Sequence, residues 1–359
     1  MRITFVLPTM GESGGVRAVL RHAAGLRGRG HEVRIVFPFW PHPFHGGLRT
    51  PAGRRHWLGT LRRNLTGGWR RGFGGAIDAG VRCVARLDAA HIPDGDLVIA
   101  TAWVTAAPVA RLPAAKGRKV YIVQHREIEL GPSHEVDATY RLPLARLAGS
   151  TSTVAVLARE YGVDVAGLAP SGVDFAFWSS GGSAARRGVL MMAPSLPHKG
   201  LDDGLEVLER VHRAAPEEPL RLFGPRPPER MPAGATFVSR PSDEALRELY
   251  RTSRVLLFPS RYEGFGLPPL EAMATGCAVV TTRVGAIPDF SRDRVSAWWV
   301  DPGDVAGLTA GVLHLLADEG ERLAMGRAAV EAARQWDWPI VTGRLEATLR
   351  VILEGPVPL

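Results

Sequence analysis

Short apolar runs recur along the chain, each followed by a turn or by a helical spacing of apolar positions. RITFVLP, Arg2 to Pro8, predicts a buried first strand. GESGG at 11–15 predicts a turn, Val16 to Arg29 a helix stopped by Gly30, and Val33 to Phe37 the next strand. That is one βαβ unit. DLVIAT (96–101) and KVYIVQ (119–124) predict further parallel strands, and STVAV and GLAPSGVD close this half. The Gly/Ser-rich polar stretch GGSAARRG, 181–188, predicts an interdomain linker. Beyond it, VLMMAP (189–194), LRLFG (220–224), ATFVS (235–239), VLLFPS (255–260) and AVVTT (278–282) alternate with helical segments, the first over Leu201 to Ala214. The last 40 residues read as helical throughout. Two successive α/β units with parallel sheets are the expected architecture.

Length and composition fit that pattern. A chain of 359 residues exceeds what one hydrophobic core usually organises. With 45% hydrophobic and 22% charged residues it has the make-up of a globular protein. No apolar run approaches the roughly 18 residues of a membrane span, and the first strand is too short for a secretory core. Cys83 and Cys277, the two cysteines, stand in unrelated contexts without metal-ligand spacing. A cytoplasmic protein is expected.

Charge is unevenly distributed along the chain. The formal net charge is +8, but residues 1–178 hold 23 Lys+Arg against 13 Asp+Glu, and residues 179–359 hold 21 against 23. Much of the excess lies in residues 49–73, where Arg49, Arg54, Arg55, Arg62, Arg63, Arg70 and Arg71 are interleaved with Trp57, Trp69 and Phe73. Such a segment suits an anionic membrane surface or an acceptor bearing phosphate; a solvated arginine-rich loop is the plain alternative. Helix-turn-helix, zinc-finger and RNP patterns are not apparent, so nucleic acid is not an expected partner.

The densest chemistry lies in SRYEGFGLPPLEAMATGCAVVTT, Ser260 to Thr282. An apolar strand precedes a glycine loop, and a helix opened by Pro268 or Pro269 and ended by Gly276 follows it. The loop therefore stands at a strand's carboxyl end and a helix's amino end, where unpaired N–H groups and the helix dipole favour an anion such as a diphosphate. Gly264 and Gly266 permit close backbone approach, and the carboxylates Glu263 and Glu271 can accept from sugar or ribose hydroxyls.

With Glu263 and Glu271 spaced as E-x7-E around GFGLPPL, the chain resembles the retaining, nucleotide-sugar-dependent glycosyltransferases of family 4. The resemblance implies the GT-B fold: two Rossmann-like doubly wound domains facing a central cleft, with a final helix crossing back onto the first domain. The corresponding boundaries are 1–180 for an acceptor-binding domain, 188–336 for a nucleotide-sugar-binding domain and 337–359 for the returning helix. It also implies that Glu263 contacts donor-sugar hydroxyls, that Glu271 holds the ribose, and that amides around Phe265, Gly266 and Leu267 approach the sugar and phosphates. ATAWVTA and VYIVQHREIE look like the rhamnosyl-transferring branch.

Other residues take weaker assignments. Gly14 and Gly15 follow the first strand, where similar enzymes place a glycine pair beside the reacting centre; a tight turn explains them equally. His125 follows KVYIVQ at a strand's carboxyl end, where related transferases carry a histidine near the donor's reacting carbon. Glu127 and Glu129 could orient it or bind the acceptor. Lys199, after a strand and before a glycine and a helix, is assigned to the diphosphate. Related enzymes pair this lysine with an arginine about five positions earlier, but Pro194 stands there, so either another arginine such as Arg226 or Arg261 substitutes or phosphate binding is weaker than usual. Asp94-Gly95-Asp96 precedes a strand and reads as a turn rather than a metal-binding D-x-D.

The expected function is retaining transfer of a sugar from a nucleotide diphosphate sugar to the hydroxyl of a glycan, lipid-linked or natural-product acceptor. His125, Glu263 and Lys199 form the expected catalytic set. The nucleotide sugar enters as co-substrate, with no further cofactor and no metal, and residues 49–73 offer a peripheral contact at the inner membrane face. A non-catalytic nucleotide-sugar-binding or scaffold protein of the same fold is the alternative. A dinucleotide oxidoreductase is excluded, because FVLPTMGESGGVRA contains no G-x-G-x-x-G and the second strand ends in Phe37-Pro38.

Overall fold

The computed structural model describes all residues except 12, 43–47, 49, 70–79, 128–130, 182–184, 195 and 356–359. The chain forms two compact units, one of Met1–Pro170 with Trp338–Leu359 and the other of Ser171–Asp337.

In unit 1 the elements run β1 (Arg2–Val6), α1 (Gly14–Gly28), β2 (Glu32–Pro38), α2 (Pro51–Leu65), β3 (Val81–Val84), β4 (Leu97–Ala100), α3 (Trp103–Ala110), β5 (Arg118–Val123), α4 (Ser133–Thr139), β6 (Ala145–Ala148), α5 (Thr151–Tyr161) and β7 (Gly167–Leu168). Its seven strands are parallel in the order β3-β2-β1-β4-β5-β6-β7, with Ile3 opposite both Val33 and Leu97. Ser13 starts α1 by accepting from the Val16 amide, a side-chain cap for an otherwise orphaned donor. Helix α1 then buries Val16, Val19, Leu20, Ala23 and Leu26 on one face of the sheet. The same core takes Leu345, Leu349 and Ile352 from the last helix, α13 (Trp338–Glu354).

Unit 2 contains α6 (Phe175–Trp178), β8 (Val189–Met192), α7 (Leu201–Ala214), β9 (Leu220–Gly224), β10 (Thr236–Ser239), α8 (Asp243–Thr252), β11 (Val255–Phe258), α9 (Leu267–Ala274), β12 (Ala278–Thr282), α10 (Ile287–Phe290), β13 (Trp298–Val300), α11 (Val305–Ala317) and α12 (Glu319–Arg334). Six parallel strands take the order β10-β9-β8-β11-β12-β13. Helix α7 places Asp202 and Asp203 in its first turn and His212 and Arg213 in its last, in line with its dipole. Its buried stripe of Gly204, Val207, Leu208 and Val211 follows the 3.6-residue period.

The strand orders share one property that matters for function. In both sheets the first strand has its successor on one side and its fourth-ranked strand on the other. Crossovers therefore diverge there and leave a crevice outside the carboxyl ends, where open α/β sheets bind ligands.

The chain passes from unit 1 to unit 2 at Pro170, ahead of the 181–188 stretch expected to be the linker. Phe175 and Trp178 are buried, with Trp178 against Tyr250, and Val173 bridges to Asp337. Apolar packing assigns these residues to the second unit despite their position before the Gly/Ser-rich stretch. Among the described residues, no helix is long and apolar enough to cross a membrane.

Candidate functional site

In unit 2 the crevice lies between β8 and β11. After β8 the chain turns through Pro197–Lys199 and enters α7 at Gly200, whose φ of 67° is left-handed. After β11 it runs through Ser260 to Gly266, φ 100°, and enters α9. The His198 carbonyl accepts from the amides of Arg261 and Tyr262 at 2.9 and 3.2 Å and so joins the two loops. This brings together residues 64 positions apart: Lys199 Nζ donates to Glu263 Oε2 at 2.7 Å, and Ser260 Oγ donates to Glu263 Oε1 at 2.9 Å. The Glu263 side chain is 8% exposed and that of Lys199 20%, so the pair is only partly screened by solvent. Gly285 packs against this arrangement, since a Cβ there would lie 2.8 Å from Glu263 Cβ.

The amide supply at the start of α9 follows from its sequence. Pro268 and Pro269 carry no N–H, so Leu267 holds the first-turn donor ahead of them, with Gly266, Phe265 and Gly264 in the loop. Glu271 stands further along α9, and its Oε2 accepts from the Tyr250 hydroxyl at 3.3 Å. Burial, then the neighbouring Glu271 charge, pushes the Tyr250 hydroxyl well above its ordinary value, so it remains a donor.

Of the two substitutes expected for the missing arginine, Arg261 is already engaged. Its Nε and Nη2 grip Asp203 Oδ2 and Oδ1 at 2.7 and 2.6 Å, a bidentate pair with the first turn of α7. Arg226 lies exposed just beyond the carboxyl end of β9.

In unit 1 the glycine pair opens α1 after β1. A Cβ on Gly15 would sit 2.6 Å from Gln124 Oε1, and Gln124 Nε2 donates to the Thr101 carbonyl at 3.3 Å. The ends of β1, β4 and β5 are thus packed through Gln124, with half-buried His125 next in the chain. Gly14 occupies the first, exposed position of α1.

Glu127 has a structural place instead of facing an acceptor. It is buried, and its Oε2 accepts from the Trp103 amide at 2.8 Å, at the start of α3, and from the Tyr121 hydroxyl at 3.2 Å. Glu129 lies outside the described residues. Burial pushes the Glu127 carboxyl up to about 7 against the relief given by those donors. A carboxyl raised on folding stabilises the native state below its unfolded value, and that contribution is lost as pH rises through 7. Glu127→Gln keeps an acceptor oxygen without the charge. Its stability relative to the parent is expected to be higher at pH 8 than at pH 5, by on the order of 1–3 kcal/mol. Urea midpoints at the two pH values measure this, and an equal difference at both would refute it.

Asp94 and Asp96 are occupied at the amino ends of strands, Asp94 by Lys116 and Asp96 by Arg2, each at 2.7–2.8 Å. Ser260 and Tyr250, donors to the two site carboxylates, lie outside the E-x7-E motif in the sequence. Tyr250 ends an amphipathic helix and carries no signal of its own there. Ser260 is visible only as a polar residue after an apolar strand.

Residues 178–332 match the family described as glycosyl transferases group 1. The match spans most of unit 2, including Lys199, Glu263 and Glu271. A D-inositol 3-phosphate glycosyltransferase of Segniliparus rotundus is 32% identical over 52% of this chain and 47% of its own length. Sulfoquinovosyl transferase SQD2 of Arabidopsis thaliana is 31% identical over 41% of this chain and 30% of its own. The chain thus spans less than half the length of these curated relatives. Among solved structures, Anabaena HepE in complex with UDP superposes with a TM-score of 0.74 at 15% identity, covering 98% of this chain and 100% of that one. WaaG, a glycosyltransferase involved in lipopolysaccharide biosynthesis, gives 0.64 at 16%, covering 99% and 100%. At these identities the likeness is one of fold. The fold is α/β with two Rossmann-like parallel-sheet domains, as in GT-B glycosyltransferases.

Proposed function

We propose that the protein transfers a sugar from a nucleotide diphosphate sugar to an acceptor hydroxyl with retention of configuration, as a family 4 glycosyltransferase of the E-x7-E type. The observation that carries this reading is the Lys199–Glu263 pair at the switch point of the matched domain. Unit 2 binds the donor. Glu271 accepts from the ribose hydroxyls, and Glu263 accepts from the sugar. The amides of Phe265, Gly266 and Leu267 meet the diphosphate at the start of α9. Lys199 stabilises charge growing on the departing diphosphate, with Arg226 as the second cation. No second carboxylate is assigned as a covalent nucleophile, so the acceptor attacks from the face the diphosphate leaves.

His125, with Gly14 and Gly15, serves the reacting carbon from unit 1, which also binds the acceptor. The outward side of α2 supports an anionic or lipid-linked acceptor and peripheral attachment at the inner membrane face. Arg54, Arg55 and Arg62 stand there with Leu58 and Leu65, which are 58% and 65% exposed.

Glu271→Ala tests the donor assignment. Losing a charged acceptor of ribose hydroxyls is expected to weaken nucleotide diphosphate binding by about 10- to 100-fold. The measurement is calorimetric titration with UDP, GDP, dTDP and ADP, after a melting screen names the preferred base. His125→Ala should bind the same nucleotide as tightly as the parent while transfer falls. Unchanged affinity in folded Glu271→Ala would sink the ribose assignment, and an inverted product by NMR would sink retention.

A further inference from the structure

Helix α2 turns polar residues inward. Thr60 and Asn64 are buried while Leu58 and Leu65 face out. The inward polar groups act as anchors: Asn64 Nδ2 donates to the Phe39 carbonyl at 2.8 Å, and Trp57 Nε1 donates to the Pro41 carbonyl at 2.9 Å. Both acceptors follow β2, so α2 is fixed over the carboxyl end of that strand. Because β1 lies next to β2, Arg63 is brought beside the turn that follows β1. A Cβ placed on Gly11 would lie 3.9 Å from Arg63 Nη2 and 3.8 Å from Thr9 Cγ2.

Two polar atoms at this turn are closed off from solvent and unsatisfied. Arg63 Nε and Thr9 Oγ1 have no hydrogen-bond partner among the described residues. An orphaned donor on a cation is costly, and native structures rarely keep one without a use. Both residues flank the same glycine, Arg63 through Nη2 and Thr9 through its methyl carbon, and Gly11 places no side chain between them. The turn stands at the carboxyl end of β1, at the crevice of unit 1, and in the half of the sequence with the basic excess.

We propose that Thr9, Gly11 and Arg63 form an oxyanion subsite that receives a phosphate or carboxylate group of the acceptor. The proposal deepens the acceptor role of unit 1 and rests on that reading for its biological meaning. The guanidinium fork matches either anion, and the Thr9 hydroxyl adds a donor. The subsite makes a negative charge on the acceptor a condition of tight binding.

The test uses the full chain, with inorganic phosphate and acetate as probes and sodium chloride at matched ionic strength as the reference. Each titration follows the melting midpoint, and all are repeated in Lys199→Met to remove anion binding in unit 2. Phosphate or acetate is expected to raise the midpoint beyond chloride. Arg63→Gln should weaken the apparent affinity about tenfold or more, and Thr9→Val severalfold. Arg111→Gln, exposed at the end of α3 and outside this turn, should leave it unchanged. Without anion, Arg63→Gln should melt no lower than the parent, because it removes an unsatisfied buried donor.

A response equal in the parent and Arg63→Gln overturns the proposal, as does a response lost equally in Arg111→Gln. One that vanishes with Lys199→Met alone places the anion in unit 2 and overturns it too. Glycerol 3-phosphate and phosphatidic acid vesicles then separate a soluble acceptor from a lipid headgroup. Arg63 dependence in either arm supports the subsite.

Discussion

Replacing Lys199 by methionine is expected to lower turnover by about 10²- to 10³-fold, the usual cost of removing one preorganised charge from a developing anion. Nucleotide diphosphate affinity should fall with it. Stability should fall as well, by about 1–3 kcal/mol, because Glu263 is 8% exposed and would keep only the Ser260 hydroxyl as a described partner. The two effects separate in a double-variant cycle. Adding Glu263→Gln to Lys199→Met removes the stranded charge, so the melting midpoint should recover while turnover stays low. If the double variant is no more stable than Lys199→Met alone, the pair is not the coupled unit its geometry describes. If Lys199→Met binds and turns over like the parent, the lysine has no part in the chemistry.

Gly200→Ala should be the most damaging methyl group that can be added near this site. At φ 67° the residue is left-handed, and a Cβ would lie 2.0 Å from the Pro259 carbonyl oxygen, a backbone atom that cannot swing away. The start of α7 would have to separate from the end of β11, at an expected cost of about 3 kcal/mol or more. Gly303 supplies the control, with φ 85° and nothing within 4 Å of the added atom. Gly303→Ala should cost only about 1–2 kcal/mol, for the backbone conformation alone. Urea unfolding gives both values. Near-equal losses would mean that the close approach at Pro259 does not constrain the fold. Folded Gly200→Ala should also bind nucleotide less well, since Lys199 is the preceding residue.

The strands at the centres of the sheets were legible because both faces are buried and the sequence turns continuously apolar, as in LVIA, VLLF and AVVTT. Edge and short strands were not. β3 includes the exposed Arg82. In β6, Arg146 bonds the Tyr140 and Leu142 carbonyls and so looks like a surface residue in the sequence. Helix α2 escaped detection because it buries Thr60 and Asn64 and exposes leucines, the reverse of the pattern by which helices are read. Residues of the donor site could be named one by one, since a glycine loop between an apolar strand and a proline-opened helix is a local signal. Their connections could not. Lys199 meets Glu263, and Arg261 meets Asp203, only through the order of β8 and β11. Glu127 shows the same limit in unit 1. Two positions after His125 it reads as a second site carboxylate, yet tertiary packing makes it the cap of α3.

The split of unit 1 around unit 2 has a consequence for synthesis. Multidomain chains usually complete their amino-terminal domain first as they leave the ribosome. Here the core of unit 1 lacks Leu345, Leu349 and Ile352 until those residues have emerged, whereas every residue of unit 2 lies between 171 and 337. The unit that begins second is therefore the first able to finish. During translation the β1–β7 sheet waits with the apolar patch of α1 and β7 that α13 will cover still open to solvent.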